Sequence, residues 1–256
     1  MRFKLYILVV IIAAVLGLIY FLSVKNENLE KERIFLNKDK TMVETVKMNT
    51  KDGVEIIGDY YEAQGNKGAL LLHMMPADRK SWIKFAEKLQ ANNFKVLSID
   101  LRGHGESQGG PDGYKKFSDA EHQASIFDVE AGADFLKEKG VSALHLVGAS
   151  IGANLALKYL AEHPETKSAI LLSPGLDYRG VKTSDLTQLA ESQAVYAIAS
   201  EDDQYSFETV KKLFETASFN DSRMIKIFKD AGHGTTIFEK EPEFINEAVD
   251  WLNKNQ

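Results

Sequence analysis

Cysteine is absent from this chain of 256 residues. That absence excludes a disulfide framework, a thiolate zinc site, a cysteine nucleophile and a lipoprotein anchor. A basic excess is also missing. Lys plus Arg number 31 against 37 Asp plus Glu, for a net charge of −6 with both signs interspersed. A nucleic-acid partner would want a basic face, so none is expected. No internal repeat or low-complexity tract interrupts the chain, and its length suits one sizeable domain with a buried core.

What is there begins with an apolar run, Leu5 to Leu22, 18 residues without a charge. As a helix it spans about 27 Å, close to the hydrocarbon thickness of a bilayer. Arg2, Lys4 and the free amine precede it. The positive-inside rule then places the N-terminus in the cytoplasm and the remainder on the extracytoplasmic side. The following "FLSVKNEN" has no small-x-small cleavage pattern. Residues 1–24 therefore read as an uncleaved signal anchor rather than a signal peptide, whose cleavage would make the protein secreted. Residues 25–40 are strongly charged and read as a solvated stalk.

From Thr41 to the C-terminus the pattern is regular. "TMVETVKM" and "VEIIGDYYEA", joined by Lys51-Asp52-Gly53, predict an antiparallel hairpin. Continuous apolar runs such as "GALLLHMM", "FKVLSIDL", "SALHLVG", "SAILLSP" and "AVYAIAS" predict buried strands. Segments of helical spacing alternate with them, including one over residues 119–140. The expectation is an α/β domain over 41–256, with a mostly parallel central sheet flanked by helices. A short cap insertion is expected at about 174–193.

In such a sheet, ligands bind beyond the carboxyl ends of the strands. Those ends carry "HMMPAD", "DLRGHGES", "GASIG", "SEDDQYS" and "DAGHGTT". Ser150 lies between Gly148 and Gly152 at a strand-to-helix junction. Two readings are open there, an ordinary helix N-cap and a nucleophile elbow, G-x-S-x-G. An acidic pair, Asp202 and Asp203, and then His233 between two glycines follow in chain order.

These five motifs, in this order, resemble the α/β-hydrolase superfamily of serine esterases, lipases and aminopeptidase-like enzymes, over about residues 41–254. The resemblance implies that Ser150 is the nucleophile, His233 its base and an acid the partner of His233. Matching "ASEDDQYS" to the family's G-x-x-D loop puts the acid at Asp203, with Asp202 as the competitor. The oxyanion hole would use the amide of Ile151 and one from the loop His73-Met74-Met75. There the family shows His-Gly-x, so the match gives Met75, with Met74 in the glycine's place and as the alternative donor.

His73, His104, His122, His145 and His163 read as structural histidines, and Asp100, Arg102 and Ser107 as braces of a strand-end loop. No metal or organic cofactor is implied. The resulting expectation is a membrane-anchored serine hydrolase acting on small acyl esters or monoacylglycerol-like lipids. The alternatives are a catalytically inactive binding protein of the same fold, and an acyltransferase, thioesterase or peptidase on the same triad. The sequence sets no oligomeric state.

Overall fold

A computed structural model describes Lys25 and residues 43–183, 186–215 and 222–255. The apolar run Leu5–Leu22 and, Lys25 apart, the charged stalk lie outside the described residues. Among the described residues, no helix is long and apolar enough to cross a membrane.

Strands β1 (Val43–Asn49) and β2 (Glu55–Tyr61) form the antiparallel hairpin expected at the start of the domain. Its loop is closed by the Thr50 amide on the Val54 carbonyl at 2.9 Å, with Gly53 at φ +84°. Next come β3 (Lys67–Leu72), helix α1 (Ile83–Ala91) and β4 (Phe94–Ile99). Helices α2 (Asp119–Gln123) and α3 (Ile126–Glu138) precede β5 (Ala143–Ala149), α4 (Ile151–Glu162) and β6 (Ser168–Leu172). A ribbon of β7 (Asp177–Tyr178) and β8 (Val181–Lys182) follows. The chain then runs through β9 (Ala194–Ser200), α5 (Gln204–Phe214), β10 (Arg223–Phe228), α6 (Thr236–Lys240) and α7 (Phe244–Lys254).

Eight strands pair in the order β1-β2-β4-β3-β5-β6-β9-β10, parallel from β4 to β10. Because side chains alternate along a strand, each central strand feeds two apolar layers. Leu70 and Leu72 enter one layer with Val129, Leu136, Leu155 and Tyr159 from α3 and α4. Ala69 and Leu71 enter the other with Phe85 and Leu89 of α1 and Ala248 and Leu252 of α7. Strand β9 is buried along its whole length, as its unbroken apolar sequence requires. Each fully buried leucine contributes about 2 kcal/mol of transfer free energy.

The segment expected as one helix over 119–140 is two. Ser118 caps α2 through a reciprocal box with Glu121, and the helix ends at Gln123. Gln123 packs against Gly180 beside β8, while α3 lies on the sheet. The break at Ala124–Ser125 lets one sequence serve two surfaces. Beyond Pro174 the chain leaves the sheet before β9. The described residues there form the β7–β8 ribbon, turned at Arg179-Gly180, both with positive φ, and a 3-10 turn at Leu186–Gln188.

Strand β3 has β4 on one side and β5 on the other. The order of strands therefore reverses there, and sheets of this kind have their crevice at such a point, above the carboxyl ends of β3 and β5.

Candidate active site

Ser150 occupies the turn between β5 and α4 with φ +55° and ψ −121°. This is a costly conformation for a residue with a side chain, and it persists only where surroundings enforce it. The enforcement is steric. A Cβ on Gly148 would stand 2.1 Å from the Gly152 carbonyl oxygen, and one on Gly152 would stand 2.3 Å from that of Leu72. Only glycine fits at either place, so the turn is drawn tight against the end of β3. The Ser150 amide is held by the Leu172 carbonyl at 2.8 Å. Its side chain makes no capping hydrogen bond to α4. The N-cap reading of Ser150 therefore fails. The Ile151 amide, first in α4, belongs to the helix-start N–H groups that find no partner within the helix.

The loop after β10 brings His233 to the end of β9. His233 Nδ1 lies 2.6 Å from Asp203 Oδ2. Asp203 stands at the N-terminus of α5 without capping it, so its carboxylate is free for the imidazole. Burial pushes that carboxyl up, but hydrogen bonds from His233 and Ser206, with a further one from Ser173, bring it below its ordinary value. An ionised Asp203 fixes the proton of His233 on Nδ1 and leaves Nε2 as the basic nitrogen. Asp202 goes elsewhere, accepting the Gly232 amide at 3.1 Å, with Lys240 Nζ at 3.9 Å. Among the described contacts, Ser150 Oγ is not bonded to His233. Its neighbour is Tyr178, whose phenol burial pushes up against hydrogen bonds to Ser206 and Ser150.

His73 is fully buried at the end of β3. Its Nε2 accepts the Leu101 amide at 3.0 Å, so Nδ1 carries the proton and donates to the Met74 carbonyl at 2.9 Å. Burial lowers its pKa to about 4, against the favourable Met74 bond. A neutral histidine thus staples the Met74–Met75 loop to the neighbouring strand end. Met74 lies against Gly234 of the histidine loop, where a Cβ would meet its sulfur at 2.3 Å. Met75 packs on the layer that holds α3 and α4.

The family model described as alpha/beta hydrolase fold matches residues 70–223. The chain belongs to this family. A bifunctional esterase/perhydrolase of Acinetobacter calcoaceticus is 32% identical over 131 residues, 49% of this chain and 43% of that protein. An AB hydrolase superfamily protein of Bacillus subtilis is 27% identical over 133 residues, 48% of this chain and 46% of that protein. The chain thus matches less than half the length of these curated relatives. Among solved structures, a Pyrococcus furiosus esterase superposes with a TM-score of 0.67 at 19% identity, covering 85% of this chain and 92% of that one.

Around the crevice, this alpha/beta hydrolase braces its loops with buried charge. Asp100 accepts the amides of Arg79 and Glu106 at 2.7 and 2.8 Å and pairs with the Arg79 guanidinium. The Ser107 hydroxyl donates to the Asp100 carbonyl at 2.6 Å and accepts the Ile57 amide at 2.8 Å. Arg102 binds Asp128 and Asp52. All three residues act on the strand-end loop, as their motif implies. His104 stacks on Tyr114 with ring centres 4.1 Å apart, and burial lowers its pKa to about 4. Among the described residues, no three His, Asp or Glu side chains gather as a metal site would require.

Three residues at the crevice carry no motif of their own. Tyr178, on the ribbon, stands edge-on to His233 at 6.3 Å between ring centres. Asn154, one turn into α4, is fully buried. Its side chain donates to the carbonyls of Gly175 and Val181 at 2.8 and 2.7 Å and accepts the Gly175 amide at 3.1 Å, tying the ribbon to the elbow helix. Ser173, one residue beyond β6, could have been found by the strand-end rule that exposes the others.

Proposed function

We propose that the protein is a serine hydrolase that cleaves carboxylic esters through an acyl-enzyme. The observation that carries this reading is the arrangement of His233 held through Nδ1 by Asp203, with Ser150 on a glycine-enforced turn at the end of β5, on the same edge of the sheet. Ser150 Oγ attacks the ester carbonyl while His233 Nε2 takes its proton. The amides of Ile151 and Met75 receive the oxyanion, and Asp203 stabilises the imidazolium. Collapse expels the alcohol, which takes the proton from His233. Water then repeats the sequence, releasing the acid and free Ser150.

The β7–β8 insertion is too small for a large cap, which supports small acyl esters or monoacylglycerol-like lipids over bulky triglycerides. That the Acinetobacter relative is a bifunctional esterase/perhydrolase favours a second acceptor besides water for the acyl-enzyme. The run Leu5–Leu22 supports attachment to a membrane, with the domain on the extracytoplasmic side.

The test is a fluorophosphonate probe together with p-nitrophenyl esters of graded chain length. Labelling at Ser150 and turnover that falls with chain length are expected. A folded protein that neither labels nor cleaves any ester would refute the reading, and rate gains with added alcohol would indicate acyl transfer.

A further inference from the structure

The roles assigned above do not use Ser173, which is fully buried beyond the end of β6. Its φ is +51°, in the left-handed region where glycine sits without strain and serine does not. A hydroxyl retained there has contacts that glycine could not make. Ser173 Oγ accepts the Gly234 amide at 2.9 Å. Its own amide donates to the Ile198 carbonyl at 2.8 Å, and its carbonyl accepts the Tyr178 hydroxyl at 3.3 Å. The preceding residue, Leu172, accepts the Ser150 amide at 2.8 Å. Two consecutive residues therefore grip the nucleophile turn and the histidine loop, and hold them at one separation.

We propose that Ser173 is a positioning residue that, through the Gly234 amide, sets where His233 stands relative to Ser150. Its kinetic consequence rests on the hydrolase reading above; its effect on His233 does not. With Oγ accepting from Gly234, the hydroxyl proton is free to donate, and Asp203 is the carboxylate that faces it. Removing that donor concentrates negative charge on Asp203 toward the imidazole and favours its protonated form. The other ionisable groups around the loop are Tyr178 and, on its outer side, Asp202, Asp230 and Lys240. A change at Ser173 leaves each of these in place.

The test is Ser173→Gly in the full chain, because glycine relaxes the backbone while deleting the hydroxyl. Ser173→Ala, which keeps the strain, serves as its partner. Thermal stability of Ser173→Gly should equal or exceed that of the parent. Its kcat should fall about tenfold with KM within about twofold, as expected when only the transition-state geometry is disturbed. The acid limb of kcat/KM and the His233 ring titration followed by NMR should both move to higher pH. Gly234 amide exchange should quicken. An unmoved His233 titration with unchanged Gly234 exchange would overturn the proposal, whatever happens to kcat. Should the parent protein neither label nor cleave esters, the hydrolase reading falls, while the titration and exchange still decide the role of Ser173.

Discussion

Asp203 Oδ2 lies 2.6 Å from His233 Nδ1, while Asp202 beside it reaches the backbone of the same loop at the Gly232 amide. Adjacent carboxylates thus hold the ring and the loop separately. Asn at position 203 can offer its NH2 to Nδ1 and favour the wrong tautomer. Asp203→Asn should lower kcat by about 10⁴-fold, the size of loss seen for the corresponding change in a serine-protease triad. Asp202→Asn keeps an oxygen acceptor for Gly232 and should retain activity within a few fold. Steady-state kinetics at matched thermal stability checks both, and a collapse in Asp202→Asn with near-full activity in Asp203→Asn would reverse the assignment.

His73 ties acid stability to the loop beneath the crevice. Its pKa falls from 6.5 to about 4 on folding because burial excludes the charged ring. As pH drops below 6.5 the unfolded chain takes up a proton that the folded protein refuses until about 4. Stability is therefore intact above that window and lost progressively across it, by roughly 3 kcal/mol from this group. Thermal midpoints at pH 7.5, 6 and 4.5 should fall, and less steeply in His73→Gln. The slope will not vanish there, since His104 and His145 are lowered in the same way.

Gly152→Ala tests the closeness of the elbow to β3. The added methyl would face the Leu72 carbonyl oxygen at 2.3 Å, an atom of a central strand that cannot step aside. A loss of about 3 kcal/mol or more is expected, the upper range for overpacking a well-filled interior. Urea denaturation measures it; a midpoint equal to the parent's would show that the strand end yields.

Asn154→Ala should loosen the ribbon without touching Ser150, Asp203 or His233. It leaves the Gly175 amide and two carbonyls without their partner, a cost of about 2 kcal/mol. Faster amide exchange at Tyr178 and a raised KM are expected. An unchanged exchange rate would mean that the ribbon is held from elsewhere.

Much of this was readable from residue order because burial leaves a periodic trace. Apolar runs mark β3, β5, β6 and β9, polar residues after β5 and β9 mark Ser150 and Asp203, and flanking glycines mark His233. The split at Ala124–Ser125 leaves no such trace, since neither glycine nor proline interrupts the apolar spacing. Asn154 reads as one more helix residue, because its partners are backbone groups about twenty or more positions away. Ser173 stands at a strand end, where the rule that exposes the others would find it, but its partners and those of Tyr178 are silent for a related reason. Their contacts depend on how loops meet, and loop meeting is a property of the assembled sheet.

The shape of the turn at Ser150 comes from the glycines on either side and from the Leu172 carbonyl. The side chain at its tip makes no capping bond to α4. In the proposed reaction, direction of attack and choice of attacking atom would thus be encoded in different residues. A thiol from Ser150→Cys would project along the same line. The architecture is a mount whose tool can be exchanged by one substitution while the mount stays as it is.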